Sequence, residues 1–330
     1  MIEPELQRVR ACILAAVCGA LLMGAAGSMR AQDYPTRTVR FIVPYVPGGG
    51  VDFVGRTLAQ KLSDSWGQAV IVDNRPGGGT NIGSELVARA APDGYTLLMG
   101  ISTLTINPSI HTKLPYDTVR DFAPVSLVVT LPNVLVVHPS LPVKSVKELI
   151  AFARVRPGQL NYASAGVGSS LHLSMALFMS MAKLRMTHVP YKGSAPALVD
   201  MLAGQIEVMT GTMITVIPYV RDGRLRALGV TSLKRAAVAP ELPTIAEAGL
   251  PGYEAVQWYG LLAPGATPRE IIAKLNEAVA HATHDAAVRK RFLDDGVEPV
   301  GSTPEEFVAL IRSDTAKWAR VVKDANIKAE

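Results

Sequence analysis

The feature that most constrains the fold is an order of elements that recurs along the chain: a short apolar strand, a turn rich in glycine and proline, and then a helix. The first example is the run of residues 39–43, which Pro44 and the glycines at 48–50 separate from a helix predicted over residues 52–65. Further strands are predicted at residues 69–73, 96–100, 125–129 and 134–138. Because strands that alternate with helices pair largely in parallel, we expect an α/β fold with mixed, mostly parallel sheets flanked by helices.

Helix starts are marked most clearly in the second half of the chain. Ser or Thr stands three residues before Glu at three places: Ser145 with Glu148, Thr267 with Glu270, and Thr303 with Glu306. This spacing predicts N-caps at Ser145, Thr267 and Thr303, and the prolines after the two threonines fit the first helical position. Ser194 is predicted to cap another helix, over residues 195–203, which Gly204 ends.

The N-terminal segment predicts export. Arg8 and Arg10 form a positively charged start, and residues 11–29 carry no charge and are rich in Ala, Leu and Gly. This is the pattern of a secretory signal peptide, here residues 1–31 with cleavage after Ala31. A membrane anchor is the alternative, since the uncharged run is near the minimum spanning length, but its small residues favour cleavage.

Several classes of function are disfavoured by composition. Both cysteines, Cys12 and Cys18, lie in the predicted signal peptide, so the mature chain has no disulfide, thiol nucleophile or cysteine metal site. The net charge of +5 is modest and the basic residues are scattered, which does not indicate a nucleic-acid surface. No second long apolar run follows the signal peptide, so we expect the mature chain to be soluble.

Common catalytic motifs are missing from the sequence: it contains no phosphate loop, dinucleotide fingerprint, nucleophile elbow or H-E-x-x-H helix. His281 and His284 are spaced as a metal pair, but a zinc site needs three or four ligands, and two histidines on a solvated helix face are the simpler interpretation. Ser169 and His172 are the one pair that suits a hydrolase or isomerase, and no third orienting group accompanies them. We therefore predict no cofactor, no metal and no enzyme activity.

Two segments between a strand and a helix have the composition of an anion site. We call residues 45–52 the glycine loop and residues 161–172 the serine loop. Glycines let the backbone approach a ligand closely, and the N–H groups at a helix start favour negative charge. Asp52 is predicted as the N-cap after the glycine loop, and Ser164 and Ser169 offer hydroxyl donors in the serine loop. Each loop has an ordinary structural alternative, a tight connection that ends in a capped helix.

A third segment, residues 189–196, contains Tyr191, whose side chain is expected to face a cleft, the core or the protein surface. The glycine and serine loops lie far apart in sequence, and each leads into a helix. This arrangement suggests two lobes that present helix N-termini to one ligand in the cleft between them.

In their order along the chain, these segments resemble the solute-binding proteins of tripartite tricarboxylate transporters, the Bug-type receptors. The resemblance covers nearly the whole mature chain and is carried by residues 34–37, 42–52, 73–79, 91–98, 106–108, 164–172, 189–193, 226–228, 242–253 and 260–264. It implies a type II periplasmic binding fold with two crossovers between lobes. One lobe would hold residues 32–132 and 255–330, and the other residues 133–254.

The resemblance also implies a function: a periplasmic receptor, expected to be a monomer, that captures a small organic carboxylate between its lobes and delivers it to membrane permease subunits. A ligand sensor for a signalling receptor is the alternative, and a secreted hydrolase-like enzyme is the weaker one. Matched to this family, the ligand-binding residues are Tyr45, Gly48, Gly49, Gly50, Val51, Asp52, Ser102, Thr103, Ser164, Gly166, Gly168 and Ser169. Gly211 departs from the family habit of a larger polar residue there, which leaves room for a bulkier or more apolar ligand.

Overall fold

The computed structural model describes residues 34–327, so the predicted signal peptide and both cysteines lie outside the described part. The chain divides into two units, residues 1–36 and residues 37–330, and both sheets belong to the second. Among the described residues, no helix is both long and apolar enough to cross a membrane.

Eleven strands form two sheets. In chain order they are β1 (Val39–Val43), β2 (Val70–Asn74), β3 (Thr96–Ile101), β4 (Phe122–Leu131), β5 (Asn133–Val137), β6 (Asn161–Ser164), β7 (Thr187–Pro190), β8 (Val208–Thr212), β9 (Arg226–Val230), β10 (Gln257–Pro264) and β11 (Glu298–Pro299). The first lobe is built on the six-stranded sheet β11-β4-β10-β3-β1-β2, and the second lobe on the five-stranded sheet β7-β6-β8-β5-β9. The predicted α/β fold is confirmed.

Ten α-helices cover these sheets. They are α1 (Gly50–Trp66), α2 (Asn81–Ala88), α3 (Thr103–Ile110), α4 (Val146–Arg154), α5 (Ser170–Ala182), α6 (Ser194–Leu202), α7 (Met213–Arg221), α8 (Arg269–His284), α9 (Ala286–Asp294) and α10 (Pro304–Asp324). A short 3₁₀ turn, Gly78–Thr80, precedes α2.

Both sheets are mixed as predicted, but the expectation of mostly parallel sheets is wrong, because five of the nine strand pairs are antiparallel. In the first lobe β1 lies between β2 and β3 and is parallel to both, whereas β10 runs antiparallel to β3 and β4. In the second lobe β6 is parallel to β7 and β8, whereas β5 is antiparallel to β8 and β9. Central strands covered on both faces consist of continuous apolar runs, and all five residues of β5 are buried.

The chain crosses between the two sheets twice: once at Pro132, which joins β4 to β5, and again between β9 and β10. The C-terminal helix α10 contacts both α3 and α5. Its Trp318 and Val321 share one buried cluster with Phe178 of the second lobe. The sequence limits of the two lobes therefore stay a prediction, since α10 packs against helices of both.

The predicted helix caps have mixed outcomes. Thr303 and Glu306 form the predicted capping box, and Ser145 accepts the Glu148 N–H as expected. The prediction for Thr267 is wrong: α8 starts after Pro268, and the Thr267 hydroxyl is buried without a partner in the described chain. The prediction for Ser194 is also wrong, because Gly193 is the N-cap and Ser194 is already helical. In both cases the helix starts one residue away from the position that the local motif favours.

Candidate functional site

Loops that follow parallel strands meet at one edge of each sheet. In the first lobe the carboxyl ends of β1, β2 and β3 lead into α1, the 3₁₀ turn and α3. In the second lobe the ends of β6, β7 and β8 lead into α5, α6 and α7. Ligands of α/β proteins bind outside such strand ends. Each lobe therefore presents a row of helix N-termini at one edge of its sheet.

One cavity joins these two edges. It has a volume of about 410 Å³ and brings residues 48–50 of the glycine loop together with residues 212–215 at the start of α7. The crossover residues Leu131 and Pro132 line it as well, so this cavity is the hinge-side part of a cleft between the lobes. A larger cavity of about 510 Å³ lies around residues 232–237 and Trp258, and none of the predicted ligand-binding residues lines it.

Asp52 organises the glycine loop from inside the first turn of α1. The N-cap is Gly49, so the prediction of Asp52 as N-cap is wrong. Its carboxylate is buried and accepts hydrogen bonds from the Gly48 N–H, Arg56 Nε and Asn74 Nδ2, each at 2.9 Å. Burial opposes ionisation of Asp52, but these hydrogen bonds outweigh it and hold the pKa of the carboxyl below its usual value. The Asp52 carboxylate therefore has its partners within the protein and stabilises the glycine loop.

The glycine loop leaves its backbone donors exposed to the cavity. Gly48 has a φ of +86°, a conformation that suits glycine, and Asn74 also donates to the Tyr45 carbonyl. The N–H groups of residues 50–52 have no acceptor in the described chain, as expected for a helix start. The Val51 side chain is buried, so only its backbone is available, whereas the Tyr45 side chain is 42% exposed.

Hydrogen bonds hold Ser164 and Ser169 of the serine loop in place. Ser169 accepts from the His172 N–H as the cap of α5, and its hydroxyl donates to the Gly166 carbonyl at 2.8 Å. Ser164 is buried, its Oγ lies 2.7 Å from His188 Nε2, and it also accepts from the Gly166 N–H. The structural alternative for Ser169, a helix cap, is therefore confirmed.

Two stacked imidazoles lie beneath the serine loop. The rings of His172 and His188 are parallel within 10° with centroids 3.9 Å apart, and the Tyr162 ring stacks beside both, with its centroid 4.9 Å from His188 and 6.2 Å from His172. The Gly168 N–H donates to His172 Nδ1 at 3.1 Å. Burial, together with the neighbouring His188 ring, lowers the pKa of His172 to about 3, and burial lowers the pKa of His188 as well. Both rings are therefore neutral at physiological pH.

The Ser169–His172 pair lacks the geometry of a nucleophile and its base. His172 Nδ1 accepts from the Gly168 backbone, and the Ser169 hydroxyl donates to a carbonyl oxygen instead of the imidazole. A catalytic base has to take the proton of the nucleophile directly or through one water. His172 Nδ1 and the Ser169 hydroxyl are therefore both occupied by contacts within the loop.

The other predicted positions lie close to the same edges. Ser102 is buried just before α3, and Thr103 Oγ1 lies 3.3 Å from Thr80 Oγ1 in the neighbouring loop. Tyr191 donates to Asp200 at 2.6 Å, which fixes its hydroxyl within the second lobe. The space for a bulkier ligand that was expected at Gly211 is occupied by Val216, because a Cβ on Gly211 would collide with the Val216 side chain.

The sequence patterns did not predict the residues that line the hinge end of the cavity. Thr212, Thr215 and Tyr259 lie there, and the Tyr259 hydroxyl oxygen is 3.0 Å from the position of a Cβ on Gly50. Thr212 directly precedes a helix, which was a usable signal. Tyr259 gave no signal, since it lies in a buried strand that is distant in sequence from both loops.

The described residues contain no group of three or more metal-ligating side chains. His281 and His284 lie in the last turn of α8, and His284 Nδ1 lies 2.7 Å from the Ala280 carbonyl. This histidine pair has no third ligand within the part of the chain that the structure covers.

Comparison with known proteins identifies the family. Residues 54–327 match the model of the tripartite tricarboxylate transporter family receptor. The chain belongs to this family. The protein BugT of Bordetella pertussis is 39% identical over 307 residues, which cover 92% of this chain and 94% of BugT. The predicted resemblance to Bug-type receptors is confirmed.

Solved structures agree with the family and the two-lobe fold. The adipate complex of Rpa4515 from R. palustris is 39% identical with a TM-score of 0.78, over 89% of this receptor and 99% of that chain. MatC from Rhodopseudomonas palustris, with bound malate, is 34% identical with a TM-score of 0.74, over 88% and 100%. The periplasmic binding protein BugD is 32% identical with a TM-score of 0.75, over 90% and 100%.

Proposed function

We propose that this receptor is exported to the periplasm, captures a small organic carboxylate between its lobes and delivers it to the permease subunits of a tripartite tricarboxylate-type transporter. The observation that carries the proposal is the cavity in which the glycine loop of one lobe faces the start of α7 in the other. Helix N-termini on both sides supply backbone donors for an anion. The structures of relatives with adipate and malate support a carboxylate ligand.

Within this proposal the predicted residues act in two ways. Backbone N–H groups of residues 49–52 are the candidates for direct contact with the carboxylate, whereas those of Gly48, Gly166 and Gly168 already donate within the protein and shape the two loops. Asp52 and Ser164 act through the loop instead, because their side chains are already hydrogen-bonded within the protein. Tyr45, Ser102, Thr103 and Ser169 are assigned to the wall of the cleft.

Membership of the family supports the proposed transport role. The Ser169–His172 geometry gives a hydrolase no nucleophile, so we propose a receptor without enzyme activity. Pull-down with the mature receptor separates uptake from sensing: capture of permease subunits supports transport, and capture of a sensor kinase in their place contradicts it.

A ligand screen tests carboxylate capture directly. The mature chain is expected to unfold at a higher temperature with at least one small mono- or dicarboxylate, because a ligand that binds only the folded state stabilises it. Gly50→Val should abolish the shift, since a Cβ there lies 3.0 Å from the Tyr259 hydroxyl oxygen and the added methyl groups extend into the cavity. The measurement is the unfolding temperature with and without each compound.

Gly158→Ala is the matched control for this screen. Gly158 has a φ of +78° and no atom within 4 Å of an added Cβ, so the substitution strains the backbone without a new contact. It should lower the unfolding temperature and keep the ligand-induced shift. A full carboxylate panel without any shift, together with a shift from another class of compound, would falsify the carboxylate proposal.

A further inference from the structure

The larger of the two cavities, of about 510 Å³, lies behind the strands that line the smaller one of about 410 Å³. Neighbouring residues of a strand point to opposite faces of its sheet. Residues of β4, of β10 and at the start of β11 divide in this way: Leu131, Tyr259 and Val297 line the smaller cavity, and Thr130, Trp258 and Glu298 line the larger one. The larger cavity, which we call the back cavity, is therefore separated from the smaller one by these strands.

Both lobes contribute walls to the back cavity. Strands β4 and β10 and helix α10 form its side in the first lobe, and residues 232–237, which follow β9, form its side in the second lobe. Apolar side chains line most of the interior: Leu127, Pro132, Leu233, Ala236, Val256 and Leu310. Cavities of this size and character bind small organic molecules. The walls thus suit the carbon skeleton of such a ligand.

One carboxylate in the lining has no partner. Glu254, which is half-buried in the crossover between β9 and β10, forms no hydrogen bond or ion pair with any described residue. The other two acids of the lining are already engaged. Asp314 accepts from Trp258 Nε1 and pairs with Lys317, each at 2.8 Å, and Glu298 accepts a backbone N–H at 3.1 Å. Glu254 is therefore the carboxylate that is available to a ligand.

The remaining cations of the lining do not neutralise Glu254. Arg235 Nε pairs at 3.0 Å with Glu247, which lies outside the lining. Lys234 is exposed and forms no ion pair with a described residue. Water and salt screen the charge of such a side chain. A half-buried carboxylate without a partner gains from a cationic hydrogen-bond donor, so the polar end of the back cavity favours a positively charged group.

We propose that the back cavity is a second ligand site, which takes a small organic cation with an apolar body. The ammonium group lies at Glu254, and the apolar body lies against Leu127, Val256 and Leu310. The two cavities then select ligands of opposite charge, because the smaller one offers backbone N–H donors and the back cavity offers a carboxylate. This second site lies outside the cavity of the proposed function and does not depend on it.

A matched pair of probes tests the site. Phenethylamine and phenethyl alcohol share one skeleton and differ in carrying an ammonium group or a hydroxyl group. In isothermal titration at neutral pH, phenethylamine should bind at least about tenfold more tightly than the alcohol, because only the ammonium group forms a charge-assisted hydrogen bond with Glu254. Equal affinities of the two probes overturn the proposal, and so does the absence of phenethylamine binding.

A change of charge at Glu254 tests the proposed contact. Glu254→Gln keeps the size of the side chain and should weaken phenethylamine binding about tenfold, whereas phenethyl alcohol binding should be unchanged. Glu241→Gln makes the same change of charge at an exposed residue outside the lining and should keep both affinities. Unchanged phenethylamine affinity in Glu254→Gln, or an equal loss in Glu241→Gln, overturns the proposal.

Three variants distinguish the back cavity from the smaller one, which contains an acid of its own, Asp295. Ala237→Trp introduces a bulky ring at an exposed residue of the back-cavity lining and should abolish phenethylamine binding. Ala316→Trp adds the same ring at an exposed residue of α10 outside the lining, and Gly50→Val extends into the smaller cavity. Both should keep phenethylamine binding. Binding that survives Ala237→Trp, or that is lost in Ala316→Trp or Gly50→Val, overturns the assignment to the back cavity.

Discussion

The glycine loop is held in shape by an ionised carboxylate, whereas the serine loop is held by two neutral imidazoles. Asp52 accepts three hydrogen bonds beneath the first loop, and one of them comes from the guanidinium of Arg56. His172 and His188 each make one hydrogen bond to the second loop, to Gly168 and to Ser164. Each lobe thus presents a helix start with free backbone donors. In the first lobe the loop before the helix is held by a charged carboxylate, and in the second lobe it is held by neutral imidazoles.

No lysine or arginine is among the described residues that line the cavity of about 410 Å³, so the charges behind the two loops affect how strongly an anion is held there. The negative charge of Asp52 lies close to the proposed carboxylate position, but Arg56 and two neutral donors offset it. The serine loop adds no charge at all while its histidines remain neutral. Removing either support should therefore affect stability and binding in distinguishable ways.

The largest effect is expected from Asp52→Ala. It removes the acceptor of the Gly48 N–H, of Arg56 Nε and of one of the two Asn74 amide hydrogen bonds, and we expect a loss of about 2–3 kcal/mol in unfolding free energy. Urea denaturation measures the loss. Asp52→Asn is the matched variant, since it keeps one acceptor oxygen and should cost less. Equal stability of Asp52→Ala and wild type would contradict the role of the carboxylate.

Lowering the pH should distinguish the contribution of His172 to stability from that of Asp52. The pKa of His172 is about 3 in the folded state and near 6.5 in the unfolded chain, so the unfolded state takes up the proton first and stability falls as pH drops below 6.5. At 1.36 kcal/mol per unit, the loss is about 2–3 kcal/mol by pH 4.5. The pKa of Asp52 is also lowered, so its contribution is fully present above the unfolded value near 4 and is lost only below it.

Urea denaturation between pH 7 and pH 3 measures both losses of stability, the one from His172 and the one from Asp52. His172→Gln should remove most of the loss between pH 6.5 and 4.5 and leave the loss below pH 4, which belongs to carboxylates. A His172→Gln profile that superimposes on that of the wild type would show that the imidazole does not link the serine loop to pH.

The smallest effect is expected from Ser169→Ala. Loss of the cap on α5 should cost about 1 kcal/mol of unfolding free energy. Thr303→Ala removes a comparable cap from α10, away from both loops, and should cost a similar amount. The two variants should differ in ligand binding, since only Ser169 also fixes the Gly166 carbonyl. Equal carboxylate affinity in both variants would remove Ser169 from the site.

Local sequence patterns predicted most of the elements of the fold. The runs at residues 39–43 and 134–138 are apolar enough to be buried on both faces, and Thr303 with Glu306 defines a helix start. The same reasoning failed at Thr267, Ser194 and Asp52. Which residue becomes the N-cap depends on how the preceding chain leaves the strand, and that geometry is set by packing rather than by the motif.

By itself, the sequence determined the α/β class, the family and the two loops rich in small residues, because these depend on residue type, spacing and order along the chain. Only the tertiary structure decided which groups stand behind those loops and what faces them. His188 lies beneath Ser164, and Tyr259 lies beside Gly50, across long separations in sequence. Such contacts arise when strands that are distant in sequence join the same sheet, so no local pattern records them.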